Sequence, residues 1–594
     1  MTPEGDLPTF LRADPLEEDL ASARELLTID PREALRVVEA RLPTAPDPRL
    51  FRLAAEACRR LGLDADAEDA ELAAIQAGFR VPELNNAAVA AQDGRDVESQ
   101  LALNRFLEAY PDDLLALTMA AEADMHAWEL ERAEGRLRVV LGRAPTFLRA
   151  IMLLAKNLVL QARLREAIEL VEQVIRRKPN NKTALQYVAE LLAEANDHEQ
   201  AAEVYRKVVT LDPRDLAMWI IYAQQLRMLA RKEESIAAFR RALALDPNNG
   251  AAWWGLVNYF PSAVTAADTA ALEQALAARD GTAEDGGPLH IALGILADRR
   301  GDCAAAFRHI AEGKRLRSQG HPYSSAAASA DVDELIATFT AERFATSGGV
   351  PDEAPIFIIG MPRSGTTLLE QILGGHSQIE PGGELPIMPR LYERLRRGAD
   401  EGYAQRIATM TGDEFSGLGQ WYVERSRDYR PLNKPRFIDK LNSNWRHVGL
   451  IRLMLPNARI IDLRRDALDC CWSNFKMLFA EGHIASNDQR DIASFYRDYV
   501  RMVEAVDAGS PGRILRVRYE DLVDDVESQT RRILAFLGLD FEPECIDFHR
   551  SARAVATPSS EQVRRPINRD SVGSAEPYRE WLGPMIEELG DLAA

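Results

Sequence analysis

The chain has 594 residues, with 72 Lys+Arg against 92 Asp+Glu and a formal net charge of −20; that balance argues against nucleic acid and anionic membrane surfaces as partners, and no run approaches the ~18 apolar residues of a membrane span. Five cysteines, Cys58, Cys303, Cys470, Cys471 and Cys545, are scattered and odd in number, with no metal-type spacing, so reduced thiols and no metal site are expected. The opening Met1-Thr-Pro-Glu-Gly-Asp6 lacks the basic and apolar regions of a secretion signal, and the expected location is cytoplasmic.

Prolines stand at 111, 145, 179, 213 and 247, each 34 residues after the last. Thirty-four is the tetratricopeptide period, one helix–turn–helix per unit with proline near its end. Ala133, Ala167 and Ala201 fall where paired helices must approach closely, and Trp219 with Trp253, and Tyr205 with Phe239, recur in register as hole-filling aromatics. Weaker units surround these, from Pro31 to Pro46 and from Gly294 to Gly313. The spacing predicts an α-solenoid over residues 1–320 with seven to nine repeats, the outer ones irregular as caps. Its concave face would hold a peptide or partner protein; a purely architectural brace is the alternative.

Residues 321–353 break the period and read as a linker with a short helix, Asp331 to Phe344. From 354 onward the pattern is α/β. Ile356 to Ile359 read as a buried parallel strand, and Thr366 to Leu373 carry apolar residues at helical spacing. Between them, Gly360-x-x-x-x-Gly365 matches the first part of a nucleotide-binding loop, but Thr366 occupies the lysine position of G-x-x-x-x-G-K-[ST]. The backbone N–H groups of Arg363 to Thr367 would sit at a helix N-terminus, which suits a phosphate or sulfate.

Pro362-Arg-Ser-Gly-Thr-Thr367 resembles the 5′-phosphosulfate loop of sulfotransferases that use 3′-phosphoadenosine 5′-phosphosulfate (PAPS), most closely the tyrosylprotein type. The resemblance implies a P-loop-like domain over 354–594 with a central parallel sheet, in which Arg363, Ser364, Gly365, Thr366 and Thr367 hold the 5′-phosphosulfate. Ala458-Arg-Ile-Ile-Asp-Leu-Arg-Arg-Asp466 extends it: Arg465, and Ser473 eight positions later, match the family's 3′-phosphate clamp, a role that the planar fork of arginine fits. Glu384, in His376-Ser-Gln-Ile-Glu-Pro-Gly-Gly-Glu384, falls at the family's catalytic glutamate and would deprotonate the acceptor hydroxyl. The sequence departs there, because the family's glutamate pair is Gly383-Glu384 and its following arginine is Pro386.

Lys440, in Phe437-Ile-Asp-Lys440, matches a lysine that stabilises the leaving phosphate. Tyr519, in Arg516-Val-Arg-Tyr519, matches a donor contact. Ser559, in Thr557-Pro-Ser559, matches a site serine, and Arg569 to Ser574 would form a flap. The expectation is a PAPS-dependent sulfotransferase without metal, acting on a hydroxyl that could belong to a peptide tyrosine, a sugar or a small alcohol; the repeats favour a peptide. Two other classes stay open: a nucleotide kinase or NTPase with a degenerate Walker loop, and a repeat scaffold with an inactive transferase domain.

Overall fold

The computed structural model describes residues 15–279, 282–320, 322–346, 348–397, 402–479, 483–548 and 567–593, and the chain divides into two compact units, 1–184 and 185–594. In the first unit, helices follow one another from Pro15–Ile29 to Leu164–Arg177. In the second, the helical run continues from His198–Leu211 to Cys303–Gly320 before the sheet begins.

The 34-residue period is written into the backbone. Trp128, Ala162, Asn196 and Ala230, spaced by 34, all take left-handed φ between 57° and 63° at the turn joining the two helices of a unit. Two residues after four of the repeat prolines, an Asx side chain caps the next helix: Asp113 accepts from Ala116 N (2.8 Å), Asn181 from Ala184 N (3.0 Å), Asp215 from Met218 N (3.2 Å) and Asn249 from Ala252 N (2.9 Å). Each such cap stabilises its helix by about 1 kcal/mol. The recurring tryptophans answer the prolines directly, because Trp219 Nε1 donates to Pro213 O (3.1 Å) and Trp253 Nε1 to Pro247 O (2.8 Å). Ala133, Ala167 and Ala201 are fully buried, as close helix packing requires, and Tyr205 and Phe239 are buried as well.

The second unit contains a five-stranded, all-parallel sheet of order β2-β3-β1-β4-β5, with β1 Pro355–Ile359, β2 Ile379–Pro381, β3 Arg436–Asp439, β4 Arg459–Arg464 and β5 Ile514–Arg518. Every residue of β1 is buried, which is how a central strand covered on both faces reads. One face packs Ile356, Ile358, Ile461 and Leu463 against Leu369, Ile372, Ile533 and Leu537. On the other, Tyr422 lies 5.5 Å from Phe357 and Tyr499 donates to Asp462. After β1 the chain moves toward β2 and β3, and after β4 it moves toward β5, so the carboxyl ends of β1 and β4 flank a topological switch point, where open α/β sheets place their ligands.

The segment read as a linker is ordered in two helices. The first, Ser325–Thr338, begins six residues before the expected Asp331, because Ser324 caps it through Ala327 N (3.2 Å). The second, Ala341–Ala345, is separate because Phe339 turns inward against Gly449, and Thr340 starts a new helix by capping Arg343 N. Ser329 Oγ donates to Asp498 (2.6 Å) on the long helix Gln489–Gly509, so this stretch packs on the sheet layer.

Candidate active site

The loop after β1 turns through two left-handed residues, Arg363 (φ 67°) and Gly365 (φ 99°), before the helix Thr366–Leu373. Gly365 is required twice over: its φ strains any L side chain, and a Cβ there would stand 2.5 Å from Tyr519 Cδ2. Ser364 is buried and its Oγ has no hydrogen-bond partner, while Thr366 Oγ1 donates to Asn442 Oδ1 (3.0 Å). Two guanidinium groups converge here. Arg363 Nε reaches Ser473 Oγ at 3.5 Å, and Arg465 donates to Arg363 O (3.3 Å), to Ser574 Oγ (2.8 Å) and to Ser571 O. Burial and the neighbouring Arg465 both push the pKa of Arg363 below its ordinary value.

Residues 571–575 are tied down beside that pair. Asp469 accepts from Gly573 N (2.7 Å) and Ala575 N (2.8 Å), so the segment read as a flap is anchored to the helix that carries Ser473. Tyr519 lies beneath the loop, packed on Gly365 with the Arg465 guanidinium 5.7 Å from its ring centre.

At the end of β3 stands Lys440, buried, with Nζ 2.8 Å from Glu384 Oε1 and 3.9 Å from Glu370 Oε2. Burial alone would lower the pKa of this ammonium, but the two carboxylates outweigh it and hold the value above the ordinary one. Glu384 keeps 46% of its side-chain surface open, so one carboxylate in this pair can meet an incoming hydroxyl. Glu370 lies one helical turn beyond Thr366 and accepts from Gly383 N (2.8 Å), which fastens the Glu384 segment to the helix of the anion loop. Next to Lys440, burial pushes the Asp439 carboxyl up to about 7, although hydrogen bonds from Tyr422 (2.7 Å) and others oppose the rise.

Several residues fall elsewhere or were not anticipated. Ser559 lies outside the described residues. His376 hydrogen-bonds the backbone through both ring nitrogens, at Asp540 O (3.0 Å) and Gln378 N (3.1 Å). His447 is driven down to about 3 by burial and hydrogen-bonds Tyr403, as a core group does. Glu370, Asn442 and Asp469 were missed. Glu370 had one signal, a carboxylate inside the apolar run Leu368-Leu-Glu-Gln-Ile-Leu373, where a buried charge needs a partner.

Residues 355–543 match the model of the sulfotransferase family, and residues 160–242 match that of anaphase-promoting complex, cyclosome, subunit 3. An uncharacterized protein of Aquifex aeolicus is 33% identical over 303 residues, 49% of this chain and 40% of its own length, so the chain spans well under two thirds of that relative. Protein-tyrosine sulfotransferase A of Caenorhabditis elegans is 24% identical over 273 residues, 44% of this chain and 70% of that protein. The solved sulfotransferase domain from the Synechococcus PCC 7002 olefin synthase aligns with a TM-score of 0.27 and 22% identity, over 39% of this chain and 96% of that one. The two family models, with the 34-residue helical units, identify a chain that carries a sulfotransferase-family domain over residues 355–543 behind tetratricopeptide-type repeats.

Proposed function

We propose that the protein is a PAPS-dependent sulfotransferase that sulfates a hydroxyl of a peptide or protein, with tyrosine the favoured acceptor and the repeats engaging the polypeptide. The observation that carries this reading is the Lys440–Glu384 pair at 2.8 Å, beside a left-handed anion loop at the switch point of a parallel sheet. The residues present fit the donor. Arg363 to Thr367, with the unpartnered Ser364 Oγ, would hold a 5′-phosphosulfate, and Arg465 with Ser473 would hold a 3′-phosphate.

When bound, the donor supplies a sulfuryl group on a phosphate leaving group. Glu384 takes the proton of the attacking hydroxyl, which is why its open surface matters. Lys440 offers a fixed ammonium to negative charge developing on the leaving oxygen, and it is already held in place by Glu384 and Glu370. Thr366 opens the helix that follows the loop, so the positive end of the helix dipole faces the loop. The similarity to a protein-tyrosine sulfotransferase supports the tyrosine acceptor, and the repeats support a polypeptide partner.

Calorimetry with 3′-phosphoadenosine 5′-phosphate (PAP), ATP and GTP side by side tests the donor assignment. PAP should bind and the two triphosphates should bind far more weakly. Tight ATP binding without PAP binding would instead establish a nucleotide-hydrolysing or kinase loop, despite Thr366 at the lysine position.

A further inference from the structure

The segment Gly382-Gly383-Glu384 is suspended by its backbone. Gly382 N donates to Ile438 O (3.0 Å), Gly383 N to Glu370 Oε1 (2.8 Å), and Lys440 N to Gly383 O (2.8 Å). The Gly382 carbonyl accepts from Asn196 Nδ2 at 3.2 Å, and Asn196 belongs to a repeat, at the turn between helices Lys182–Glu194 and His198–Leu211. Two residues earlier, Glu194 pairs with Arg390 and accepts from Tyr429 OH (3.3 Å). Arg390 lies on helix Ile387–Arg397, which starts three residues after Glu384. One repeat corner therefore grips the chain on both sides of the candidate base.

We infer that Glu194 and Asn196 are positioning residues for Glu384, so that a repeat turn completes the acceptor half of the sulfotransferase site. The inference rests on the proposed role of Glu384 as base. The repeats themselves supply the argument that Asn196 is not there for its own turn. Ala162 and Ala230 adopt the same left-handed φ, 57° and 58°, at the equivalent positions, so an alanine makes this turn and the amide is surplus to it. What the amide adds is the bond to Gly382. Glu194 in turn faces Arg390, whose side chain is only 11% exposed and whose guanidinium also donates to Tyr429 OH (2.6 Å). A buried guanidinium held by one carboxylate and one hydroxyl fixes its helix firmly, and with it the direction in which the preceding Glu384 leaves the backbone.

The test uses the full chain with Asn196→Ala, Glu194→Gln and the pair together, with PAPS and a tyrosine-containing peptide as the probe acceptor. Asn196→Ala keeps the turn, and Glu194→Gln keeps a neutral acceptor for Arg390, so both variants should fold. In the double variant, amide hydrogen exchange across 382–385 should quicken and kcat should fall, each about tenfold, with PAP affinity and exchange across the 194–198 turn unchanged. Placed in a Glu384→Gln background, the same pair should cost no further turnover, because its effect passes through Glu384. Unchanged kcat and exchange, a loss of PAP affinity in step with kcat, or a full additional loss in the Glu384→Gln background would each overturn the inference. If Glu384→Gln alone keeps full turnover, the base assignment has failed instead, and the exchange measurement still decides whether the repeat corner braces 382–385.

Discussion

The proposed donor and acceptor sides of the site are built in opposite ways. The donor side is largely one continuous stretch, from β1 through the left-handed loop to helix Thr366–Leu373, supplemented by Arg465 and Ser473 beyond β4. The acceptor side takes Glu370, Glu384 and Lys440 from three separate segments and rests on Glu194 and Asn196, nearly two hundred residues earlier in the chain. A local backbone device works because of its own φ angles and helix dipole, whereas an assembled pair works only when several distant elements agree. The first kind tolerates change outside it, and the second is sensitive to its supports.

Glu384→Gln should separate the two sides most sharply. Removing the base should cost ~10²–10⁴-fold in kcat while PAP binding stays near that of the parent, measured by single turnover and calorimetry. Retained turnover would mean that the acceptor side does not depend on this carboxylate.

Asp439 tests the electrostatic cost of the acceptor side. Its pKa is raised to about 7, so between about pH 4 and 7 the folded state binds more protons than the unfolded state, and stability falls as pH rises through that window. Asp439→Asn should therefore gain on the parent, by up to about 3 kcal/mol, as the pH of a urea titration is raised from about 4 to about 7. A pH-independent difference between the two proteins would place the cost elsewhere.

Arg465→Ala probes the donor side. Loss of one charged hydrogen-bond partner should weaken PAP by about 1.5–3 kcal/mol, with little change for an adenosine nucleotide lacking the 3′-phosphate. Equal losses for both ligands would show that Arg465 mainly holds Ser571 and Ser574 in place rather than reading the 3′-phosphate.

The same division explains what could be read in advance. The prolines at 34-residue intervals announce the repeats because each unit repeats the same local solution, down to the Asx cap two residues later. The anion loop is legible because Gly360, Arg363 and Gly365 must serve its backbone within six residues. The pairing of Lys440 with Glu384 and Glu370 is not legible locally, since a lone lysine after a short apolar run carries no mark of its partners. Glu370 and Asn196 escaped because their work is tertiary: a helix position and a repeat turn acquire meaning only once β2 and β3 bring 382–384 beside them. Likewise the repeats separate from the sheet near 321–353 in the sequence, whereas everything from Leu185 onward forms one compact unit. Side chains such as Trp254 and Ile291, packed against Met477, make that connection without any periodic signal.

Lys314 gives the chain a timetable. It is almost fully buried and donates to Met477 O (2.6 Å), 163 residues later, while Arg317 donates to Phe479 O (3.0 Å). On a ribosome adding ~5–20 residues per second, the repeat helix bearing these donors waits roughly ten to thirty seconds for its partner carbonyls to be made. Through that interval water must serve the ammonium, and the faces of Trp254 and Ile291 that later meet Met477 remain open. Newly made repeats therefore present a sticky surface to the cell before the segment that covers it exists, and the demand for chaperones should peak at that stage of synthesis.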